Sequence, residues 1–71
     1  MTYRMVIVRS DATTVTGEAN NHMDAMIELN RWVRDPFYLP LKGDKYHAKF
    51  FIGCENNLYE YSLSEVLSLG K

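Results

Sequence analysis

The stretch from Lys45 to Leu63, KYHAKFFIGCENNLYEYSL, decides the fold because it predicts a β-hairpin. Its first part, residues 45–54, is rich in aromatic residues and predicts a strand. Asn56–Asn57 predicts a tight turn, since asparagine tolerates a positive φ angle. A turn there places six apolar or aromatic side chains on one inner face of the hairpin. The predicted cross-strand pairs are Cys54 with Tyr59, Ile52 with Tyr61, and Phe50 with Leu63.

The outer face of the same predicted strand carries Lys45, His47, Lys49 and Phe51. A phenylalanine flanked by lysines on a sheet face is typical of two kinds of contact. One is an aromatic hot spot ringed by polar groups at a protein interface. The other is the combination of stacking and phosphate contacts that single-stranded nucleic acids use. The third interpretation is that a helix covers this face, so that Phe51 belongs to the core.

The N-terminal segment predicts two more strands. Residues Thr2–Arg9 are rich in β-branched residues, and apolar side chains at the centre of the segment face both ways. This pattern predicts a central strand. Residues Thr13–Thr16 predict a polar edge strand that pairs back on the first, with an irregular loop as the alternative.

The segment Asn21–Arg34 predicts the main helix. Asn21 is a favourable N-cap, and Pro36 ends the helix at or before the preceding residue. Glu28 and Arg31 are spaced to form an ion pair on its solvent side. The apolar stripe recurs at steps of three and four residues, and its members are Ala25, Met26, Leu29, Trp32 and Val33.

The connection Phe37–Leu41 has more large apolar residues than a simple linker needs. We expect it to fold back as a strand that pairs with residues 45–54 across a turn at Gly43–Asp44. The alternative is that Phe37 and Tyr38 present apolar surface to a partner.

The C-terminal segment predicts a short helix from Leu63 to Leu69, because Ser62 and Glu65 have the spacing of a capping box. The elements together predict an α+β fold, in which a small antiparallel β-sheet packs against one main α-helix and a short C-terminal helix follows. The predicted core consists of Met5, Ile7, Met26, Leu29, Trp32, Val33, Phe50, Ile52, Tyr61, Val66 and Leu67.

Length and composition restrict the class of protein. The chain has 71 residues and a net charge of −1, and we expect one domain, residues 1–71. Its longest early apolar run, Met5–Val8, is too short for a signal peptide or a membrane span. A lone thiol, that of Cys54, favours a reducing cytoplasm. The slightly acidic balance counts against a dedicated nucleic-acid module.

The sequence predicts no catalytic residue, no cofactor and no metal site. Cys54 is expected on the inner face of the hairpin and His47 on the outer face, so the two do not form a nucleophile and base pair. Together with His22 they supply three ligands at most, fewer than a structural zinc site needs. The chain contains no glycine-rich phosphate-binding motif. We therefore expect a protein that is not an enzyme.

Three functions remain as hypotheses. The first is a small protein-binding module, such as a regulator, inhibitor or adaptor, similar in size and style to accessory proteins of phages and mobile elements. Its predicted contact residues are Phe37, Tyr38, Lys45, His47, Lys49 and Phe51. The second is a nucleic-acid binder that uses Arg31, Arg34, Lys42, Lys45 and Lys49. The third is a homodimeric structural protein. None of the three requires a membrane.

Overall fold

A computed structural model describes residues 2–40, 43–54 and 56–68. The described elements are β1 (Tyr3–Val8), β2 (Thr14–Ala19), α1 (His22–Val33), α2 (Asp44–His47), β3 (Lys49–Cys54), β4 (Asn57–Tyr61) and α3 (Leu63–Ser68). The predicted α+β fold is confirmed, because a four-stranded antiparallel sheet packs against one main helix and a short C-terminal helix. Within these residues, no helix has the length and apolar character needed to cross a membrane.

The four strands lie in the order β2-β1-β3-β4. β1 pairs with β2 on one side and with β3 on the other, both antiparallel. The prediction that the N-terminal strand is central is therefore confirmed, as is the polar edge strand. That edge strand is longer than expected, since pairing with β1 continues to Ala19.

The main helix forms as predicted. The Asn21 side chain accepts a hydrogen bond from the Asp24 backbone N–H at 2.9 Å, which satisfies one of the free donors of the first turn. Arg31 donates to Glu28 at 2.8 Å on the solvent side. All five residues of the predicted apolar stripe are buried, so the helix contributes one continuous face to the core.

The core lies between α1 and one face of the sheet. Trp32 rests over Gly17 of β2, where a glycine leaves room for the indole, and its ring stacks on Tyr38 at 4.9 Å between centroids. Most of the predicted core is buried, although Tyr61 and Leu67 are only partly so. The prediction omitted Leu39, which is 8% exposed and joins the core from the connection after α1.

The hairpin has a different register from the predicted one. Cys54 pairs with Asn57, Ile52 with Tyr59, and Phe50 with Tyr61. The connection is therefore residues 55–56 and not Asn56–Asn57, and Glu55 lies outside the described residues. Because the shift amounts to two residues along β4, each side chain keeps its predicted face. Within β3 and β4 the inner and outer faces were thus predicted correctly from a wrong register.

The segment before β3 was predicted wrongly. Residues Asp44–His47 form the single helical turn α2, whereas the prediction had a strand over residues 45–54. Residues 36–39 form turns and a bend, so no strand forms in the described part of the predicted strand 37–41. Leu41 and Lys42 lie outside the described residues. The sheet consequently gains no strand from this region.

A buried carboxylate explains why α2 forms where a strand was expected. Asp44 is 2% exposed, and its Oδ1 accepts hydrogen bonds from the backbone N–H of Ser10 at 3.0 Å and from its hydroxyl at 2.6 Å. Gly43 precedes it with a φ of 77°, a left-handed conformation that glycine adopts at little cost. This contact ties α2 to the end of β1, 34 residues away in sequence.

The final helix begins with the predicted capping box. The Ser62 backbone N–H donates to Glu65 at 2.8 Å, and the Glu65 N–H donates to the Ser62 hydroxyl at 3.2 Å. Asn30 of α1 donates to the Val66 carbonyl at 2.7 Å, and Val66 is fully buried. These bonds fix α3 beside α1, on the same side of the sheet.

Candidate functional site

The most distinctive surface is the face of the sheet that points away from the helices. The core contains side chains from the other face, such as Met5, Ile7, Phe50 and Ile52. Strand alternation therefore turns the intervening residues outward. We call this surface the outer face. Its members are Arg4, Val6, Val8, Thr14, Thr16, Glu18, Lys49, Phe51, Leu58 and Glu60.

The centre of the outer face is apolar. Val6 of β1 lies directly opposite Phe51 of β3, and Val8 follows on the same strand. All three are half-buried and are not among the residues that pack on the core. Leu58 on β4 adds a side chain that is 38% exposed. Antiparallel sheets usually present polar groups on a solvated face, so this apolar centre requires an explanation.

Charged groups of both signs surround the apolar centre. Arg4 lies opposite Glu18 on β2, and Glu60 on β4 lies opposite Phe51. Lys49 lies opposite Val8 at the end of β3. A shallow groove of about 430 Å³ runs beside Arg4, Thr16 and Glu18. An apolar centre with a mixed-charge rim is the composition of a protein interface.

The structure separates the six predicted protein-contact residues into three places. Lys49 and Phe51 share the outer face, as predicted. His47 is exposed on α2 and so does not lie on the strand, while Lys45 belongs to the same turn and its side chain is not described.

The other two predicted contact residues lie in the turn after α1. Phe37 is 78% exposed, whereas Tyr38 is half-buried against Trp32. The Tyr38 carbonyl also accepts a hydrogen bond from Arg9 Nε at 2.7 Å. Tyr38 therefore has a structural role, and Phe37 is an exposed aromatic away from the outer face.

The cations predicted for nucleic-acid contact do not lie on one element. Arg31 and Arg34 are exposed at the end of α1, in the helix layer, and Arg31 pairs with Glu28. Lys49 lies on the outer face, on the other side of the sheet. Lys42 and the side chain of Lys45 lie outside the described residues.

A cluster that the sequence did not predict lies on the helix side of the sheet. The His22 Nε2 atom and the Tyr61 hydroxyl are 2.8 Å apart, and the Tyr3 ring meets the same imidazole in a T-shaped arrangement. A hydrogen bond with the Cys54 side chain, on the neighbouring strand, raises the pKa of Tyr3 above its ordinary value. The residues come from four separate elements, β1, α1, β3 and β4, so no local sequence motif predicts that they meet.

Within the described residues, no group of three or more histidine, cysteine, aspartate or glutamate side chains is placed to hold a metal ion. Comparison of the chain with known protein families, curated proteins and solved structures finds no match. The function must therefore be inferred from the geometry of the chain itself.

Proposed function

We propose that this protein is a small non-catalytic protein-binding module, a regulator, inhibitor or adaptor, whose contact surface is the outer face of the sheet. The observation that carries the proposal is the apolar centre of Val6, Val8 and Phe51, whose half-buried side chains do not pack against the described core. A rim of alternating charges favours a specific protein partner over a lipid surface or a polyanion. The lone thiol of Cys54 is compatible with action in a reducing cytoplasm.

The size of the surface indicates the strength of the contact. Four strands about 4.8 Å apart, each about six residues long at about 3.3 Å per residue, give a planar face of roughly 400 Å². A stable protein interface takes about 800 Å² from each partner. The outer face alone therefore suits a transient contact, and a tighter complex would also engage loops at its edge.

Affinity capture with two matched variants tests the proposal. Phe51→Thr removes the aromatic ring and keeps a residue that favours strands, while Phe37→Ala removes an exposed aromatic ring elsewhere. A partner captured by the wild type and by Phe37→Ala, but lost with Phe51→Thr, supports the outer face. Capture that Phe51→Thr leaves unchanged, or that Phe37→Ala abolishes, contradicts it.

Two solution measurements distinguish the other hypotheses. A nucleic-acid binder that neutralises about five phosphates would lose affinity with salt at a logarithmic slope near −4, which a titration at two salt concentrations detects. A homodimer would show a concentration-dependent mass in sedimentation. We expect neither result. A salt-dependent affinity would assign the outer face to nucleic acid, and a concentration-dependent mass would assign it to a second copy of the chain.

A further inference from the structure

A cleft of about 330 Å³ lies on the helix side of the sheet, away from the outer face. Three tyrosines and one histidine line it: Tyr3 from β1, His22 from the start of α1, and Tyr59 and Tyr61 from β4. The His22 ring centroid is 6.0 Å from that of Tyr3 and 5.8 Å from that of Tyr61. Four aromatic rings from three elements thus meet around one space.

The angles between these rings determine what the cleft can hold. The His22 ring is inclined at 75° to Tyr3 and at 47° to Tyr61. Neither of these pairs forms the parallel walls that would sandwich a flat ring. Inclined rings can instead surround a rounded group from several directions, and the π-electron density of aromatic rings attracts cations. We propose that the cleft is an aromatic cage that binds a quaternary ammonium group, such as a trimethylated nitrogen.

The walls of the cage are held in place before any ligand arrives. The hydrogen bond between His22 and the Tyr61 hydroxyl joins α1 to β4, and Tyr3 pairs with Cys54 across the sheet. Among the described residues, no lysine or arginine lines the cleft, so no cation among them competes there with a ligand. Tyr59 is 66% exposed, so the outermost wall is open to a ligand from solvent.

An NMR titration with choline, compared with its uncharged carbon isostere dimethylbutanol, tests the inference. The two molecules have nearly the same shape, and the charged one costs more to remove from water, so tighter binding of choline has to come from attraction to its positive charge. We expect choline to shift the ring resonances of Tyr3, His22, Tyr59 and Tyr61, and to bind about tenfold more tightly than the isostere. Equal affinity for the two, or no shift of these rings, overturns the inference.

Three variants localise the binding. Tyr59→Leu should weaken choline binding roughly three- to tenfold, because it removes one π face from an exposed position where folding is little affected. Tyr59→Phe keeps the ring and should bind like the wild type, and Phe37→Leu removes a ring outside the cleft and should change nothing. The cage is contradicted if Tyr59→Phe weakens choline binding as much as Tyr59→Leu does. It is also contradicted if Phe37→Leu weakens choline binding.

A second titration identifies the source of the ammonium group. The probes are two otherwise neutral peptides, one with a single trimethyllysine and one with an unmodified lysine. If the trimethyllysine peptide binds more tightly than choline, the ligand of the cage is a protein side chain. If the peptide binds more weakly than choline, the ligand is a small molecule. Tighter binding of the unmodified peptide than of the methylated one would contradict a cage for alkylated nitrogen. The inference does not depend on the outer face, since Phe51→Thr leaves every wall of the cleft intact.

Discussion

Replacement of Gly17 by alanine should destabilise the fold, because the new Cβ would meet the indole of Trp32. It would lie 2.6 Å from Cη2 and 2.9 Å from Cζ2 of that ring. The ring has little room to retreat, since Trp32 is only 8% exposed and also stacks on Tyr38. The substitution therefore has to move Trp32, Tyr38 or the strand.

The magnitude follows from two opposing effects. Alanine is more favourable than glycine in the interior of a strand by about 0.5–1 kcal/mol. Overpacking of a well-filled core costs about 1–3 kcal/mol, and a rigid ring placed this close favours the upper half of that range. We therefore expect Gly17→Ala to lower the free energy of unfolding by roughly 1–2 kcal/mol.

Urea unfolding followed by the fluorescence of Trp32, the single tryptophan of the chain, measures this loss. A double-mutant cycle with Tyr38→Ala identifies the cause, since removal of the stacked ring gives the indole space to move. In that background the cost of Gly17→Ala should fall by at least half. A Gly17→Ala protein that is more stable than the wild type, with unchanged Trp32 emission, would refute the close contact.

Three further outcomes are expected. Ser10→Ala removes the hydroxyl bond to the buried Asp44 carboxylate and should cost about 1–3 kcal/mol in urea unfolding; an unchanged midpoint would show that the bond is not needed. Hydrogen bonds from Ser62 lower the pKa of Glu65 below its ordinary value of 4.5. The ionised Glu65 therefore stabilises the fold fully above pH 4.5, and this stabilisation is lost as the pH falls through the lower pKa of the folded state. Urea midpoints measured from neutral to acid pH should therefore fall less steeply for Glu65→Gln, which keeps the cap but not the charge, and equal slopes would contradict this. Gly53→Ala puts a Cβ into the backbone of β4 and should lower the melting temperature by more than Gly17→Ala does; a smaller shift would mean that the hairpin adjusts.

The faces of the elements were predictable from the sequence because they depend on local periodicity. The α1 stripe repeats at helical spacing, and the hairpin faces survive any even shift in register. The turn position was less secure, since three consecutive polar residues, 55–57, offer two adjacent two-residue connections. β4 takes the earlier one and pairs Asn57 with Cys54.

The features that were missed depend on contacts between distant residues. Residues 45–49 alternate like a strand, but the buried Asp44 accepts hydrogen bonds from Ser10 and starts a helical turn instead. That turn takes both Lys45 and His47 out of the strand, and His47 is exposed on α2. The aromatic cleft likewise needs Tyr3, His22 and Tyr61 to meet in the folded chain.

We propose that the outer face around Phe51 contacts a protein partner. The most direct test places the photo-crosslinking residue benzoylphenylalanine at position 51 in one protein and at position 37 in another, and irradiates both in the cells of origin. We expect a discrete cross-linked product from position 51 alone, one that excess unlabelled wild-type protein suppresses. A product from position 37 but none from position 51, or one that the wild type does not suppress, would contradict the claim.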